Sequence, residues 1–203
     1  MSIKFLTKSA DLQDEFAYRV IMMSHYLQHG NLEYKGTFLD IGAGHGFCHN
    51  NTIAMERLGW TGTLVEYNLE LVQLNKKIRT QPCFSFDVRQ KGWTNILDKT
   101  NYDYISFDVD DSTLEAVKVF PWDKIKFKVM TIEHDAYRVG TETRDYIRKI
   151  MKEQGYFCVA YDVLCCDGGP FEDWFVSPDL PALAFMKYFS VGKRAIEVMF
   201  VPK

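Results

Sequence analysis

Several things are scarce or missing in this chain of 203 residues. No apolar run approaches the roughly 20 residues that a membrane-spanning helix needs. The opening Met1-Ser2-Ile3-Lys4-Phe5 has no long apolar stretch of the signal-peptide kind. No strong charge of either sign is present: 24 Lys and Arg against 27 Asp and Glu leave a net charge of −3. That balance supplies no general pull toward nucleic acid or an anionic membrane. Proline and glycine, 6 and 13 residues, are too few for a disordered or fibrous chain. The five cysteines are odd in number and contain no CxxC pair. Neither a disulfide framework nor a zinc ribbon is expected, and the adjacent Cys165-Cys166 reads as small buried apolar residues. A reducing, cytoplasmic setting follows as the expectation. There is no internal repeat, low-complexity tract or second-domain linker.

What is present is an alternation of strand-like and helix-like stretches. A leading helix spans 9–29, with Ser9 as its cap and Leu12, Phe16, Val20 and Met23 on one face. Thr37–Ile41 is a short apolar strand running into Gly42-Ala43-Gly44-His45-Gly46. A helix over Asn50–Leu58, a strand over Thr61–Glu66 and a helix over 69–79 capped by Asn68 follow, the last with Leu71, Leu74 and Ile78 on its inner face. Further strands are expected at Cys83–Asp87, Asp103–Asp108 and Phe127–Ile132, with helices from Ser112 and over Thr141–Gln154. Tyr156–Cys165 and Asp173–Ser177 pair as a terminal hairpin around Asp167-Gly168-Gly169-Pro170. The fold class is therefore α/β, a mostly parallel sheet with helices on both faces. One domain is expected, with a helical cap over 1–35, a core over 36–177 and a C-terminal extension over 178–203. That extension is apolar and aromatic, and packs on the domain or on a second subunit.

In such sheets ligands bind beyond the carboxyl ends of the strands. Asp40, Glu66, Asp87 and Asp108 all stand at such ends, the first beside the glycine turn. Two ligand classes compete. A nicotinamide dinucleotide places a diphosphate on G-x-G-x-x-G, but Phe47 stands at the third position and Asp40 would repel the phosphates. S-adenosyl-L-methionine has no phosphate and carries a sulfonium and an ammonium, which these acids favour. Glu66 is placed for the ribose hydroxyls and Asp87 for the adenine amino group. Gly42, Ala43, Gly44, Gly46, Tyr67 and Val88 complete the expected cofactor wall. Tyr18 and His25 on the leading helix are candidates to close over it.

Asp40-Ile41-Gly42-Ala43-Gly44-His45-Gly46, Glu66, Asp103–Asp110 with Leu114-Glu115, and Ile132-Glu133-His134 together resemble the FkbM-type methyltransferases. The chain departs from that family's pattern at Gly44, Tyr67 and Asp110-Asp111. The resemblance implies a class I methyltransferase fold with strand order 3-2-1-4-5-7-6, and O-methylation of a small hydroxyl compound, most often a sugar or glycan. A sugar hydroxyl is a poor acid, so a base or a metal ion is needed. His134 is the expected base, with Asp108 or Glu133 orienting it. Alternatively Asp108, Glu133 and His134, with Asp135, hold a divalent ion such as Mg²⁺. Arg138, Arg144 and Trp174 are candidate acceptor contacts, with Trp93 a second stacking candidate. Nucleic acid is not expected as a substrate, since the Asn/Asp-Pro-Pro-Tyr motif of amino-group methylases is absent. A nicotinamide oxidoreductase and a catalytically silent subunit of a glycan-processing assembly are the competing readings.

Overall fold

The computed structural model describes residues 5–97, 99–186 and 190–199. Eight strands form one sheet in the order β3-β2-β1-β4-β5-β7-β6-β8. They are β1 Thr37–Ile41, β2 Thr61–Glu66, β3 Cys83–Ser85, β4 Asn101–Phe107, β5 Lys126–Glu133, β6 Phe157–Leu164, β7 Pro170–Val176 and β8 Ser190–Val191. Strands β1 to β5 pair in parallel, and β7 runs antiparallel to β5 and β6. The expected order 3-2-1-4-5-7-6 is present, with β8 added beyond β6. The helices are α1 Gln13–His29, α2 Ile53–Arg57, α3 Leu69–Ile78, α4 Thr113–Val119, α5 Ala136–Val139, α6 Glu142–Glu153 and α7 Ala195–Met199. None among the described residues is long and apolar enough to cross a membrane.

The central strands are buried on both faces, so successive side chains feed two cores. Phe38, Leu64, Tyr104 and Val129 join Phe16 and Ile21 of α1, Met55 of α2 and Val72 of α3. Their neighbours Leu39, Val65, Ile105 and Met130 join Ala116 of α4 with Ile147 and Met151 of α6.

Several local expectations are corrected. Helix α1 starts at Gln13 rather than Ser9, because the Asp14 carboxylate accepts from Lys8 N at 2.7 Å, Ser9 Oγ at 2.7 Å and Thr7 Oγ1, folding that segment back. Helix α2 begins only at Ile53, since Asn50 caps it from outside, its Oδ1 accepting from Thr52 N and Ile53 N. On α3, Asn68 caps as expected, accepting from Glu70 N and Leu71 N. The inward face of α3, however, is Val72 and Asn75, and Ile78 is exposed. Tyr18 is buried between Phe5 and Trp60, and His25 lies beside Tyr34, so neither stands over the glycine turn. In the C-terminal extension, the 3-10 turn Pro181–Phe185 lies along α1, where Ala182 N donates to Ser24 Oγ at 3.2 Å. Residues 187–189 and 200–203 of that extension lie outside the described residues.

Candidate cofactor cleft and active site

Register sets the site. Ile41 pairs with Val65 on one side and Phe107 on the other, so Gly42, Glu66 and Asp108 leave the sheet at one level. Gly42 N donates to Val65 O at 2.9 Å, and Asp108 N donates to Ile41 O at 2.9 Å. Gly42 has φ +83°, and a Cβ there would fall 1.6 Å from Asp108 O, so the chains cross at a distance only glycine permits.

A cleft of about 530 Å³ opens over this crossing. Of the residues expected to hold a cofactor, Asp40, Gly42, Ala43, Gly44, Glu66, Tyr67, Asp87, Val88 and Asp108 line it. Gly46 does not. It faces α3, where a Cβ would meet Asn75 Oδ1 at 1.9 Å. Asn75 in turn donates to Gly44 O at 2.8 Å and anchors the turn from behind. Glu66 is held by two backbone donors, Oε2 by Gly44 N at 2.9 Å and Oε1 by Asn68 N at 2.8 Å. Asp87 forms a two-pronged pair with Arg89 at 2.8 and 2.9 Å, which holds its carboxyl below the usual range.

Asp40 is only 2% exposed. Burial pushes its carboxyl up, against the opposing pull of Arg79, Thr52 and Asn50. Thr52 Oγ1 donates to Asp40 Oδ2 at 2.7 Å and Asn50 Nδ2 does so at 3.0 Å. Asn50, Asn51, Thr52, Asn75, Arg79 and Arg89 were not among the sequence-derived site residues. Asn50-Asn51-Thr52 is a polar run soon after the glycine turn and the other three are scattered along the chain, so neither pattern has meaning until burial is known.

On the far side the register carries acids across three strands. Phe107 pairs with Ile132, and Glu133 pairs with Glu172 of β7. Asp108 and Glu133 share a hydrogen bond. Burial first, then that bond and the Asp108 charge, push the Glu133 carboxyl up to about 11. Burial raises Asp108 as well. Both carboxyls of this neighbouring pair are thus pushed toward the protonated form, Glu133 the further. Glu172 is buried, accepting from Trp174 Nε1 at 2.8 Å and Gln13 Nε2 at 3.3 Å.

The roles expected of His134, Trp174 and Trp93 are corrected, and Arg138 and Arg144 are found in ion pairs. His134 is 1% exposed and does not line the cleft. Its Nδ1 accepts from Ala136 N at 3.1 Å, and its Nε2 faces Asp173 Oδ1 at 3.4 Å and Asp162 Oδ1 at 3.9 Å. The ring thus points across β7 toward β6, where Arg148 already pairs with both aspartates. Neither the base nor the metal-ligand role fits it beside Asp108. Trp174 is fully buried and stacked on Phe16 at 4.4 Å, so it offers no face to a sugar. Trp93 is buried in the second core. Arg138 pairs with Asp135 and with Asp111, the latter at 2.9 Å, clasping the loops after β4 and β5. Arg144 pairs with Asp145 and Asp162. Among the described residues, two groups have ligand atoms within 4.8 Å of one another: Asp110, Glu133 and Asp135 beside the cleft, and His134, Asp162 and Asp173, whose aspartates are already paired with Arg148.

No protein-family model matches the sequence, and no curated protein matches it. Solved structures do resemble it. A Staphylococcus aureus protein described as a candidate caffeoyl-CoA O-methyltransferase aligns over 82% of this chain and 83% of its own, with TM-score 0.56 and 14% identity. A Bacillus cereus O-methyltransferase solved with SAH aligns over 85% and 84%, with TM-score 0.56 and 13% identity. A Thermotoga maritima SAM-dependent O-methyltransferase aligns over 80% and 64%, with TM-score 0.52 and 11% identity. The chain has the class I methyltransferase fold. At these identities the likeness speaks for the fold alone, and the chemistry must be argued from the cleft.

Proposed function

We propose that the chain is an S-adenosyl-L-methionine-dependent O-methyltransferase acting on a hydroxyl of a sugar, glycan or related small molecule. The observation that carries this reading is the charge of the cleft. Its lining holds Asp40, Glu66, Asp87, Asp108 and Asp110, while Arg89, the one Lys or Arg among the lining residues, is tied to Asp87. A diphosphate would meet repulsion at the turn, whereas a ligand with an ammonium and a sulfonium would meet attraction. The fold and the FkbM-like motifs agree with it.

The cofactor supplies an electrophilic methyl carbon whose transfer leaves a neutral thioether. The chain's residues do the rest. Glu66 is pre-ordered by Gly44 N and Asn68 N to accept two ribose hydroxyls. Asp108, ionised beside the protonated Glu133, is the base in reach of an acceptor hydroxyl: it takes the proton as the oxygen attacks in line. Its raised affinity for protons suits that task. As an alternative to the proton on Glu133, a divalent ion such as Mg²⁺ would fit the Asp110, Glu133 and Asp135 oxygens with Glu133 ionised, since Glu133 Oε2 is buried without a hydrogen-bond partner. It would lower the pKa of a bound hydroxyl.

The test is mass spectrometry of a glycan and polyol panel incubated with methyl-labelled S-adenosylmethionine, with and without EDTA. A gain of one labelled methyl on an oxygen supports the reading. Nucleotide binding without transfer to any hydroxyl acceptor would point to a silent binding subunit, and quenching of NADH fluorescence to an oxidoreductase.

A further inference from the structure

Resting on the nucleotide reading above, we propose that Arg79 is a positioning residue that, through Asn50 and Thr52, holds Asp40 aimed into the cleft, where it receives the ammonium of the nucleotide's amino-acid arm. Arg79 closes α3, its own N–H donating to Asn75 O at 2.8 Å. Its side chain has no solvent exposure and runs back beneath the glycine turn. Nε donates to Glu56 Oε2 at 2.7 Å. Nη1 donates to Asn50 Oδ1 at 3.1 Å and Gly46 O at 3.3 Å, and Nη2 donates to Thr52 Oγ1 at 2.9 Å.

Asn50 and Thr52 are the two residues whose donors end on Asp40 Oδ2, and Nη1 itself lies 3.9 Å from that oxygen. All three partners converge on Oδ2, which leaves Oδ1 of this cleft-lining residue for a ligand. A buried guanidinium needs a counter-charge, and Glu56 provides it. The remaining donors go to the groups that orient Asp40 and to the turn carbonyl. Neutralising that end of the network would remove the charge that opposes protonation of Asp40. The groups that bear on Asp40 are Arg79 with its partner Glu56, Asp108 at the end of β4, Tyr104 within β4 and Cys83 at the start of β3. Burial and Asp108 favour the protonated form, and Arg79 is the cation among them.

The inference is tested by calorimetric titration of wild type, Arg79→Gln, Arg79→Lys and Thr52→Val with two ligands. S-adenosylhomocysteine carries the amino-acid arm, and 5′-methylthioadenosine has the same adenosine without it. Titrations run at several pH values from about 5.5 to 8.5, the span over which a raised carboxylate changes charge. For wild type, affinity for the first ligand should fall less as pH drops than in Arg79→Gln, because the guanidinium opposes the protonation that burial favours. Arg79→Gln should weaken it by about tenfold or more near neutrality, the worth of one charge-assisted contact, and the loss should deepen as pH falls. Methylthioadenosine should bind within about twofold of wild type, because no charge faces Asp40 in that complex. Arg79→Lys should recover most of the difference.

Should Arg79→Gln fail to fold, Thr52→Val decides. It removes a donor to Asp40 while leaving the Arg79–Glu56 pair, and should show a smaller loss confined to the first ligand. Equal losses for both ligands, or an unchanged S-adenosylhomocysteine affinity, would overturn the role given to Arg79. A wild-type chain that binds neither ligand overturns the nucleotide reading, and this inference with it.

Discussion

Replacing Glu66 by Ala removes the one acid that the turn and the following helix hold in place together. In the ligand-free chain its carboxylate accepts from Gly44 N at 2.9 Å and Asn68 N at 2.8 Å. A ribose bound there adds two hydroxyl donors to an acceptor whose position is already set. Hydrogen bonds to a charged group contribute about 1.5–3 kcal/mol each. Part of that returns when water solvates the freed hydroxyls, so a net loss of about 2–4 kcal/mol is expected, or roughly thirtyfold to several-hundredfold in Kd. Stability should change less. Gly44 N and Asn68 N lie at a wet cleft and can turn to water, which limits the loss to about 1 kcal/mol. The assay is titration with S-adenosylhomocysteine, with a thermal melt of the same sample to separate affinity from folding. Glu66→Gln, which keeps the shape and loses the charge, should fall between wild type and Ala. Asp110→Ala, at the far side of the cleft, should change affinity less than Glu66→Ala. Affinity of Glu66→Ala within about twofold of wild type, with a normal melt, would refute the assignment of the ribose to this acid.

Other outcomes follow from the same geometry. Gly42→Ala should abolish both soluble yield and nucleotide binding, because its Cβ falls 1.6 Å from Asp108 O at φ +83°; expression and titration check it. Trp174→Ala should destabilise the fold by about 3–5 kcal/mol in a denaturant titration, since a buried ring packed on Phe16 leaves a large cavity. A mild effect there would reopen the sugar-stacking role. Asn68→Ala removes the α3 cap and should lower stability by about 1 kcal/mol. Glu133 gives a pH signature. Its carboxyl is pushed up to about 11 from 4.5, so the folded state keeps a proton that the unfolded chain releases. The stabilisation is full below about pH 4.5 and is lost as pH rises toward 11. Melts in EDTA should therefore show Glu133→Gln gaining on wild type as pH rises from 5 to 8, and parallel curves would contradict it.

The parts of the fold that local pattern determines were legible in the sequence. Acids at the ends of apolar runs marked the carboxyl edge of the sheet, and Asn68 announced its helix. The glycine turn marked the edge where a ligand was expected, but that it crosses Asp108 at a distance only glycine permits is seen in the structure alone. What escaped was whatever depends on burial and direction. Glu133 and His134 are neighbours in sequence, but a strand sends adjacent side chains to opposite faces. One therefore joins Asp108, and the other joins Asp173 and Asp162. Trp174 looks the same in sequence whether it lines a pocket or fills a core. Arg79 reads as a solvated residue at a helix end, and only its return beneath the turn reveals the network around Asp40. Ser9 does not cap α1, because its hydroxyl is drawn to the Asp14 carboxylate together with Thr7 Oγ1 and Lys8 N, and the helix starts behind Leu12 with no side-chain cap.

The most direct measurement is a crystal structure of the chain grown with saturating S-adenosylhomocysteine. The account predicts adenosine density in the cleft between the glycine turn and Val88, ribose oxygens on Glu66, and the sulfur directed toward Asp108. An empty cleft, or nucleotide bound elsewhere on the molecule, would contradict it.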